Sequence, residues 1–264
     1  MPRLDQVLVE RGLCESREKA KRLVLAGQIR INGHPARKPS DSVKSADELT
    51  VAVPEKFVSR GGHKLEHALD HFQLDVTGLT VLDLGASTGG FTDCLLQHGA
   101  HKVFAVDVGQ GQLAWKLRQD PRVVVMEKTN ARYLTCRDFM PGAGETPGGP
   151  DDASAPPGLI PPADLIVVDC SFISLKKILP PAVPLLRPGG RIVALIKPQF
   201  EAGKAEADQG QGVITDAAVH ARVLAELQQF VAAEAGLCWQ DVVESPLLGP
   251  AGNKEFLALI EKVC

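Results

Sequence analysis

The stretch Thr80-Val-Leu-Asp-Leu-Gly-Ala-Ser-Thr-Gly-Gly-Phe91 joins an apolar run to a glycine-rich turn and then to the start of a helical pattern. Glycines allow a backbone to approach a ligand closely, and the N-terminus of a helix favours negative charge. The turn lacks the Gly-Lys-Ser/Thr end of a phosphate-binding P-loop, and it does not match the dinucleotide pattern G-x-G-x-x-G. Because an acid, Asp83, precedes the glycines, the turn favours a cationic ligand such as a sulfonium or an amino group over pyrophosphate.

Strand and helix patterns alternate along the chain around this turn. The alternation predicts an α/β fold in which helices cover both faces of a mostly parallel sheet. Helical patterns include Lys64–Phe72 before the turn and Val219–Ala235 late in the chain. The sequence predicts seven strands, namely Thr80–Leu84, Lys102–Val106, Val123–Met126, Leu165–Asp169, Arg191–Lys197, Val242–Val243 and Phe256–Ile260.

Two polar residues follow the second and third predicted strands. Asp107 ends the second strand, where a carboxylate commonly accepts hydrogen bonds from a ribose diol. Asn130 follows the third strand, where it could lie beside the edge of an adenine. The alternative interpretation is that Asp83 and Asp107 only cap the segments that follow them, and that Asn130 is an ordinary turn residue.

Asp169 and Lys197 end two successive predicted strands. Both side chains should emerge at the carboxyl edge of the sheet, where open α/β sheets bind their ligands. A lysine directly after a buried strand is unfavourable unless it is paired or functional, although it could also be a snorkelling strand-end residue. By pattern alone, Lys64 and Glu255 are more typical of solvated surface charges.

The amino-terminal segment predicts a separate, small α+β domain. Ser16 is a good N-cap for a second helix, and Asn32-Gly33 predicts a tight turn between two strands. Pro54 to Ser59 has the composition of a linker. We therefore predict a boundary near residue 58, with domains at 1–58 and 59–264.

Charge is distributed unevenly along the chain. Residues up to Gly62 contain 12 Lys or Arg against 8 Asp or Glu, whereas the remainder contains 17 against 24. A basic head on an acidic body indicates contact with an anionic partner such as RNA. No apolar run approaches the roughly 20 residues that span a membrane, and no signal segment is visible. Six scattered cysteines without a CxxC pair predict reduced thiols, so we expect a cytoplasmic protein with no membrane partner.

Two further segments have unusual composition. Residues 141–162 are rich in Pro, Gly, Ala and Asp, which predicts a mobile surface insertion. His63, His67 and His71 lie at i, i+4 and i+8, a spacing that can bind metal. Since no cysteine or acidic partner is obvious and Lys64 is adjacent, we predict no metal site.

Five ordered motifs, together with the basic head, carry a resemblance to a known family. The motifs are Val58-Ser-Arg-Gly-Gly-His-Lys-Leu65, Asp83-Leu-Gly-Ala-Ser-Thr-Gly-Gly-Phe91, Val168-Asp-Cys-Ser-Phe-Ile-Ser-Leu175, Ile196-Lys-Pro-Gln-Phe-Glu201 and Gly252-Asn-Lys-Glu-Phe256. With them, the sequence resembles the TlyA (hemolysin A-like) family of FtsJ-like ribose methyltransferases. The head is similar to the RNA-binding domain named after ribosomal small-subunit protein four (S4).

The resemblance implies a Rossmann-like class I methyltransferase that uses S-adenosylmethionine and acts on ribosomal RNA or ribosomal subunits, at cytidine 2′-hydroxyls of 16S or 23S RNA. The implied catalytic tetrad is Lys64, Asp169, Lys197 and Glu255. Lys197 is the candidate base or hydroxyl activator, and it must be neutral to act as a base. The predicted cofactor-binding residues are Asp83, Gly85, Ser87, Gly89, Gly90, Phe91, Asp107, Asn130 and Asp169.

The predicted RNA contacts are basic residues that would bind phosphates in a salt-sensitive, sequence-independent way. They are Arg3, Arg17, Lys21, Arg22, Arg30 and Arg60. The alternative is an ordinary solvated helix face. Three other functions stay open: a pseudouridine synthase with the same kind of head, a pore-forming hemolysin, and an RNA-binding factor without catalysis.

Overall fold

The computed structural model describes residues 2–51, 55–139, 162–203, 206, 210–234 and 236–263. The chain divides into two compact units, Met1–Lys56 and Phe57–Cys264. Residues 141–161 of the predicted insertion lie outside the described residues, as do residues 204–205 and 207–209. In the described part of the chain, no helix is long and apolar enough to cross a membrane.

The first unit consists of two helices and a three-stranded antiparallel sheet. Ser16 caps the second helix by accepting a hydrogen bond from the Lys19 amide at 3.3 Å. Asn32 and Gly33 both have positive φ, 51° and 80°, which forms the predicted tight turn between β1 and β2. The elements are α1 (Leu4–Glu10), α2 (Arg17–Leu25), β1 (Ile29–Ile31), β2 (His34–Pro35) and β3 (Leu49–Val51), with the sheet order β2-β1-β3.

The second unit is built on a seven-stranded sheet with the order β6-β5-β4-β7-β8-β10-β9. Five strands run parallel, and β10 runs antiparallel to both of its neighbours. The predicted mostly parallel, seven-stranded sheet is therefore confirmed. The strands are β4 (Thr80–Leu84), β5 (Lys102–Val106), β6 (Val123–Met126), β7 (Ala163–Val168), β8 (Leu186–Ile196), β9 (Leu237–Glu244) and β10 (Phe256–Lys262).

Helices cover both faces of this sheet because its central strands are apolar on both sides. Along β7, Ile166 and Val168 join the core under one face, whereas Leu165 and Val167 join the core under the other. The continuous apolar run of β7 follows from this double burial. The helices are α3 (Gly61–His71), α4 (Gly90–Gln97), α5 (Trp115–Arg118), α6 (Leu175–Ala182), α7 (Pro198–Glu201) and α8 (Ala217–Ala233).

The element bounds differ from the prediction in two instructive places. β9 spans eight residues, Leu237–Glu244, instead of the predicted pair Val242–Val243. It is an edge strand with several exposed polar side chains, so its backbone pairing with β10 defines it better than its hydrophobicity does. β7 and β8 end at Val168 and Ile196, one residue earlier than predicted, and this leaves Asp169 and Lys197 just beyond two adjacent strands.

Candidate active site

A cavity of about 220 Å³ opens at the carboxyl edge of the parallel strands. Four segments meet around it: the start of α3, the glycine turn between β4 and α4, the segment that follows β7 and the loop before β10. This is the position at which open α/β sheets bind ligands. The lining residues are Ser59, Arg60, Gly61, Lys64, Gly85, Ala86, Ser87, Thr88, Gly90, Phe91, Asp169 and Pro250.

Two acid–amine pairs lie at this cavity, and each pair contributes one member to its lining. Lys64 Nζ donates to Glu255 Oε2 at 2.5 Å, with the two side chains only 10% and 1% exposed. Lys197 Nζ lies 2.6 Å from Asp169 Oδ1, with exposed fractions of 9% and 25%. The structure therefore brings together all four residues of the predicted tetrad as two pairs. Pairing makes the burial of these charges tolerable.

Lys197 makes additional contacts with the segment that follows β7. Its Nζ donates to Ser171 Oγ at 2.8 Å and, more weakly, to the Asp169 carbonyl oxygen at 3.4 Å. Three acceptors therefore surround the ammonium and fix its position. Ser171 belongs to a recognised motif, but sequence reasoning gave it no role.

Lys64 is positioned by the fastening of α3 onto α4. The Asp93 carboxylate in α4 accepts a hydrogen bond from the Val58 amide at 2.8 Å, and it forms an ion pair with Lys116 at 2.9 Å. Gly90 permits close contact between the helices, since a Cβ there would lie 2.9 Å from the Gly62 amide nitrogen. The start of α3, and with it Lys64, is thus held against the glycine turn.

Glu255 is positioned by the loop that precedes β10. Asn253 is buried and bridges two segments: its Nδ2 donates to the Gly212 carbonyl and its Oδ1 accepts from the Ile214 amide, both at 2.8 Å. A Cβ at Gly249 would lie 2.5 Å from Glu255 Oε1, so a larger residue there would have to displace that carboxylate. These contacts explain why a glutamate that resembles a surface charge in the sequence is buried.

The glycine turn contains backbone conformations and close approaches that depend on its glycine residues. Gly85 has a φ of 86°, and a Cβ there would lie 2.9 Å from the Asp169 backbone. Ser87 also has a positive φ of 50°, and its amide donates to Asp107 Oδ2 at 2.8 Å. Asp107 Oδ1 accepts the Gly109 amide at 2.7 Å. Asp107 therefore ties the turn to the end of β5.

Asp83 is buried beneath this turn. Its Oδ2 accepts a 2.6 Å hydrogen bond from Thr92 Oγ1, whereas its Oδ1 has no hydrogen-bond partner among the described residues. Burial raises the pKa of Asp83 to about 7; the Thr92 hydrogen bond opposes this shift, and the charge of Asp169 reinforces it. The turn therefore covers a buried carboxyl that is partly protonated near neutral pH.

Some predicted cofactor residues face the protein instead of the cavity. Gly89 packs against α5 and the segment before it, because a Cβ there would lie 2.8 Å from Leu113 Cδ1. Asn130 Oδ1 accepts the Arg132 amide at 3.0 Å and caps a short 3-10 helix. Gly89 and Asn130 do not line the cavity, and neither do Asp83 and Asp107. The predicted adenine contact of Asn130 stays a prediction.

Sequence reasoning assigned no role to an aromatic pair beside Lys197. Phe172 is 90% exposed, has a φ of 62°, and its ring centroid lies 5.0 Å from that of Phe200. Lys197 Nζ lies 6.0 Å from the centroid of the Phe200 ring. The signal available in the sequence was a common spacing: Phe172 lies three positions after Asp169, and Phe200 lies three positions after Lys197.

The predicted RNA-binding residues of the first unit lie at its surface. Lys21 is half-buried in an ion pair with Glu18, and Arg22 and Arg30 are exposed. Arg3 and Arg17 both contact the buried carboxylate of Asp5. Arg60, in the second unit, lines the cavity.

No group of three or more His, Cys, Asp or Glu suited to a metal ion occurs within the described ranges. The rings of His67 and His71 are 6.3 Å apart, and His71 Nε2 lies 3.2 Å from Asp241 Oδ2. The five described cysteines are free thiols.

Comparison with family models shows which protein family the chain belongs to. The model of the FtsJ-like methyltransferase matches residues 57–262. The chain belongs to this methyltransferase family. The S4 domain model matches residues 2–49, which is the basic head.

Full-length relatives agree with the assignment of this chain to the FtsJ-like methyltransferases. The chain is 49% identical to YqxC of Bacillus subtilis, over 97% of this chain and 84% of that protein. It is 47% identical to the 16S/23S rRNA (cytidine-2′-O)-methyltransferase TlyA of Mycobacterium tuberculosis, over 96% of this chain and 87% of that protein. A solved structure described as a hemolysin from Streptococcus thermophilus matches with a TM-score of 0.70 and 42% identity, covering 99% and 88% of the two chains.

Proposed function

We propose that this methyltransferase transfers a methyl group from S-adenosylmethionine to a ribose 2′-hydroxyl of ribosomal RNA, at cytidine in the 16S or 23S molecule. The observation that carries the proposal is the pair of buried acid–amine contacts at one cavity, Lys197–Asp169 and Lys64–Glu255. The similarity to a cytidine-2′-O-methyltransferase supports the choice of nucleoside.

The residues beneath and around the glycine turn fit S-adenosylmethionine. The unpaired Asp83 Oδ1 offers negative charge to a cationic ligand. Each carboxylate oxygen of Asp107 accepts a hydrogen bond from one backbone amide. Each oxygen keeps a further lone pair that can accept a hydrogen bond from a ribose hydroxyl. S-adenosylmethionine would supply an electrophilic methyl group on a sulfonium. The residues of the glycine turn would hold this cofactor, together with Asp83 beneath the turn and Asp107 beside the turn.

The chemistry required of the protein is activation of a poor nucleophile. Lys197 Nζ, as a free amine, would take the proton of the 2′-hydroxyl, and S-adenosylmethionine would supply the methyl group that the oxygen accepts. Asp169 Oδ1 and Ser171 Oγ then accept hydrogen bonds from the ammonium that results, which stabilises the product side of the proton transfer. Because methyl transfer is an in-line displacement, the fixed position of Nζ also supplies orientation.

Lys64 has a positioning and electrostatic role in this proposal. Its ammonium lines the cavity and is held by the buried carboxylate of Glu255. A cation beside the reacting oxygen favours the developing alkoxide. Glu255 keeps Lys64 in place and compensates the burial of its charge.

RNA enters the proposal through the S4 domain and the cavity rim. Exposed arginines of the first unit bind backbone phosphates, and Arg60 binds a phosphate next to the target nucleotide. A ribose can reach the cavity only from an unpaired or extruded nucleotide. The exposed ring of Phe172 offers a stacking surface for the base of that nucleotide. Since ribosomal RNA is a cytoplasmic substrate, we expect the enzyme to act there.

Incubation with labelled S-adenosylmethionine and purified 30S subunits, 50S subunits or free ribosomal RNA tests the proposal. We expect label in RNA at a linkage that resists alkaline cleavage, which marks a methylated 2′-oxygen. Label in a base would overturn the assignment of the tetrad. An RNA-binding factor without catalysis would bind the RNA but transfer no label.

A further inference from the structure

Arg3 and Arg17, two of the predicted RNA-binding arginines, contact the same carboxylate. It belongs to Asp5, in the first turn of α1. Asp5 is fully buried, with 0% exposure. Arg3 Nε donates to its Oδ1 at 3.0 Å and Arg3 Nη2 donates to its Oδ2 at 3.3 Å. Arg17 Nη2 donates to the same Oδ2 at 3.0 Å. One carboxylate thus joins two guanidinium groups.

The arginines themselves are only half-buried, with side-chain exposures of 47% for Arg3 and 51% for Arg17. A guanidinium has five N–H donors in a planar arrangement, and Asp5 uses two of Arg3 and one of Arg17. The other donors suit the oxygen atoms of a phosphate. Fixing two long side chains in advance also removes part of the entropy that binding would otherwise lose.

Helix stability favours an acid in the first turn of α1, where Asp5 lies, but it does not explain the two arginines. Arg3 is the N-cap of α1 and Arg17 is the first residue of α2. Cations are unfavourable at helix N-termini, where the macrodipole is positive. Nor does attraction to RNA explain Asp5, since a carboxylate buried beneath an RNA-binding surface repels phosphates. The contacts with both arginines lower the pKa of Asp5 to about 2, so the carboxylate stays charged at neutral pH.

We propose that Asp5 is a positioning residue for RNA binding, which holds Arg3 and Arg17 as a fixed guanidinium pair for one backbone phosphate. This inference rests on the proposed function, in which the first unit binds ribosomal RNA. It assigns a role in RNA binding to a buried acid whose negative charge alone would oppose that binding.

The sign of the effect distinguishes positioning from bulk electrostatics. Asp5→Asn raises the net charge of the unit by one, and charge alone would then strengthen RNA binding. Positioning predicts weaker binding, because the amide loses the ion pairs and directs an N–H group at guanidinium donors. Glu10→Gln is the matched control: it changes the charge equally, at the last and exposed residue of the same helix.

The experiment measures the Kd of the full chain for deproteinised ribosomal RNA at several salt concentrations, together with thermal unfolding. For Asp5→Asn we expect about tenfold weaker binding and a shallower salt dependence, and for Glu10→Gln we expect equal or tighter binding. In an Arg3→Ala, Arg17→Ala background, adding Asp5→Asn should cause no further loss, because the groups it positions are gone.

Two results would overturn the inference and leave the proposed function intact. One is an Asp5→Asn variant that binds RNA as tightly as the parent. The other is a further loss of binding in the arginine-free background, which would mean that Asp5 acts through the fold of the unit. A parent chain that does not bind ribosomal RNA would overturn the proposed function along with the inference.

Discussion

Lys64 and Glu255 are 191 positions apart in the chain, yet their side chains form a 2.5 Å contact in which both are almost fully buried. Removing one partner of such a pair leaves a buried charge without compensation and costs about 3–5 kcal/mol of stability. For Glu255→Ala and for Lys64→Ala, we expect a loss of this size in the free energy of unfolding, measured by denaturant titration.

Replacing both partners by apolar residues of similar size separates stability from function. A Lys64→Met, Glu255→Leu double variant should recover most of the stability that a single variant loses, since no charge remains buried. We expect the double variant to transfer no methyl groups. Activity near that of the parent would exclude the pair from the chemistry and leave it a purely structural contact.

Lys197 and Ser171 provide a second test of the proposed chemistry. We expect Lys197→Ala to lower kcat by about 100-fold to 10,000-fold, as for the loss of a general base. The variant should still bind S-adenosylmethionine, since the glycine turn is untouched. Ser171→Ala removes one acceptor at 2.8 Å from Nζ and leaves the Asp169 ion pair, so its effect should be smaller, about tenfold. A Lys197→Ala variant with parental kcat would rule out this role.

Asp83 should make both cofactor affinity and stability depend on pH. Burial raises its pKa to about 7, so near neutral pH the carboxyl is partly protonated. Because a cationic ligand favours the ionised form, affinity for S-adenosylmethionine should rise as the pH increases through 7. The unfolded chain releases this proton near pH 4, so the contribution of Asp83 to folding stability falls between about pH 4 and pH 7.

Asp83→Asn is the matched variant for this prediction, since its amide oxygen still accepts the Thr92 hydrogen bond. We expect lower affinity for S-adenosylmethionine and a flatter pH dependence of both affinity and stability. Calorimetric titration and thermal unfolding at a series of pH values provide the measurements. An unchanged pH dependence in the variant would assign the effect to another group.

The sequence predicted those parts of the fold that local pattern determines. β7 is apolar on both faces because it is buried on both, and Asp169 and Lys197 lie at the cavity because adjacent parallel strands end together. The burial of Lys64 and Glu255 could not be read from pattern, since a contact across 191 positions leaves no local signal. Only the family resemblance indicated that pair.

Two other features were hidden for different physical reasons. Hydrophobic periodicity assumes that an aromatic residue is buried, whereas Phe172 is 90% exposed on a backbone with a φ of 62°. Asp5 resembles an ordinary acid in the first turn of a helix, and only the three-dimensional contact with Arg17 distinguishes it. Exceptions to local rules are expected at functional positions.

Glu201 connects the segments that follow β7 and β8, which makes it a test of how the substrate side is held. Its Oε2 accepts from Ser174 Oγ at 2.6 Å and its Oε1 accepts from the Leu175 amide at 2.7 Å. The segment that carries Ser171 and Phe172 is thereby fixed to α7 at its far end. We expect Glu201→Ala to raise the KM for ribosomal RNA more than it lowers kcat, with unchanged affinity for S-adenosylmethionine.

Glu201→Gln should behave almost like the parent enzyme, because an amide oxygen can accept from Leu175 while the amide nitrogen donates to Ser174. Burial raises the pKa of Glu201, so the parent enzyme loses stability as the pH rises above the ordinary pKa of a glutamate. The glutamine variant has a neutral amide at this position and should not show that loss. Steady-state kinetics against RNA concentration separates the two parameters. If Glu201→Ala lowered kcat alone, or if the glutamine variant were equally impaired, the carboxylate would have to act on the reacting groups themselves and not through the segment it fastens.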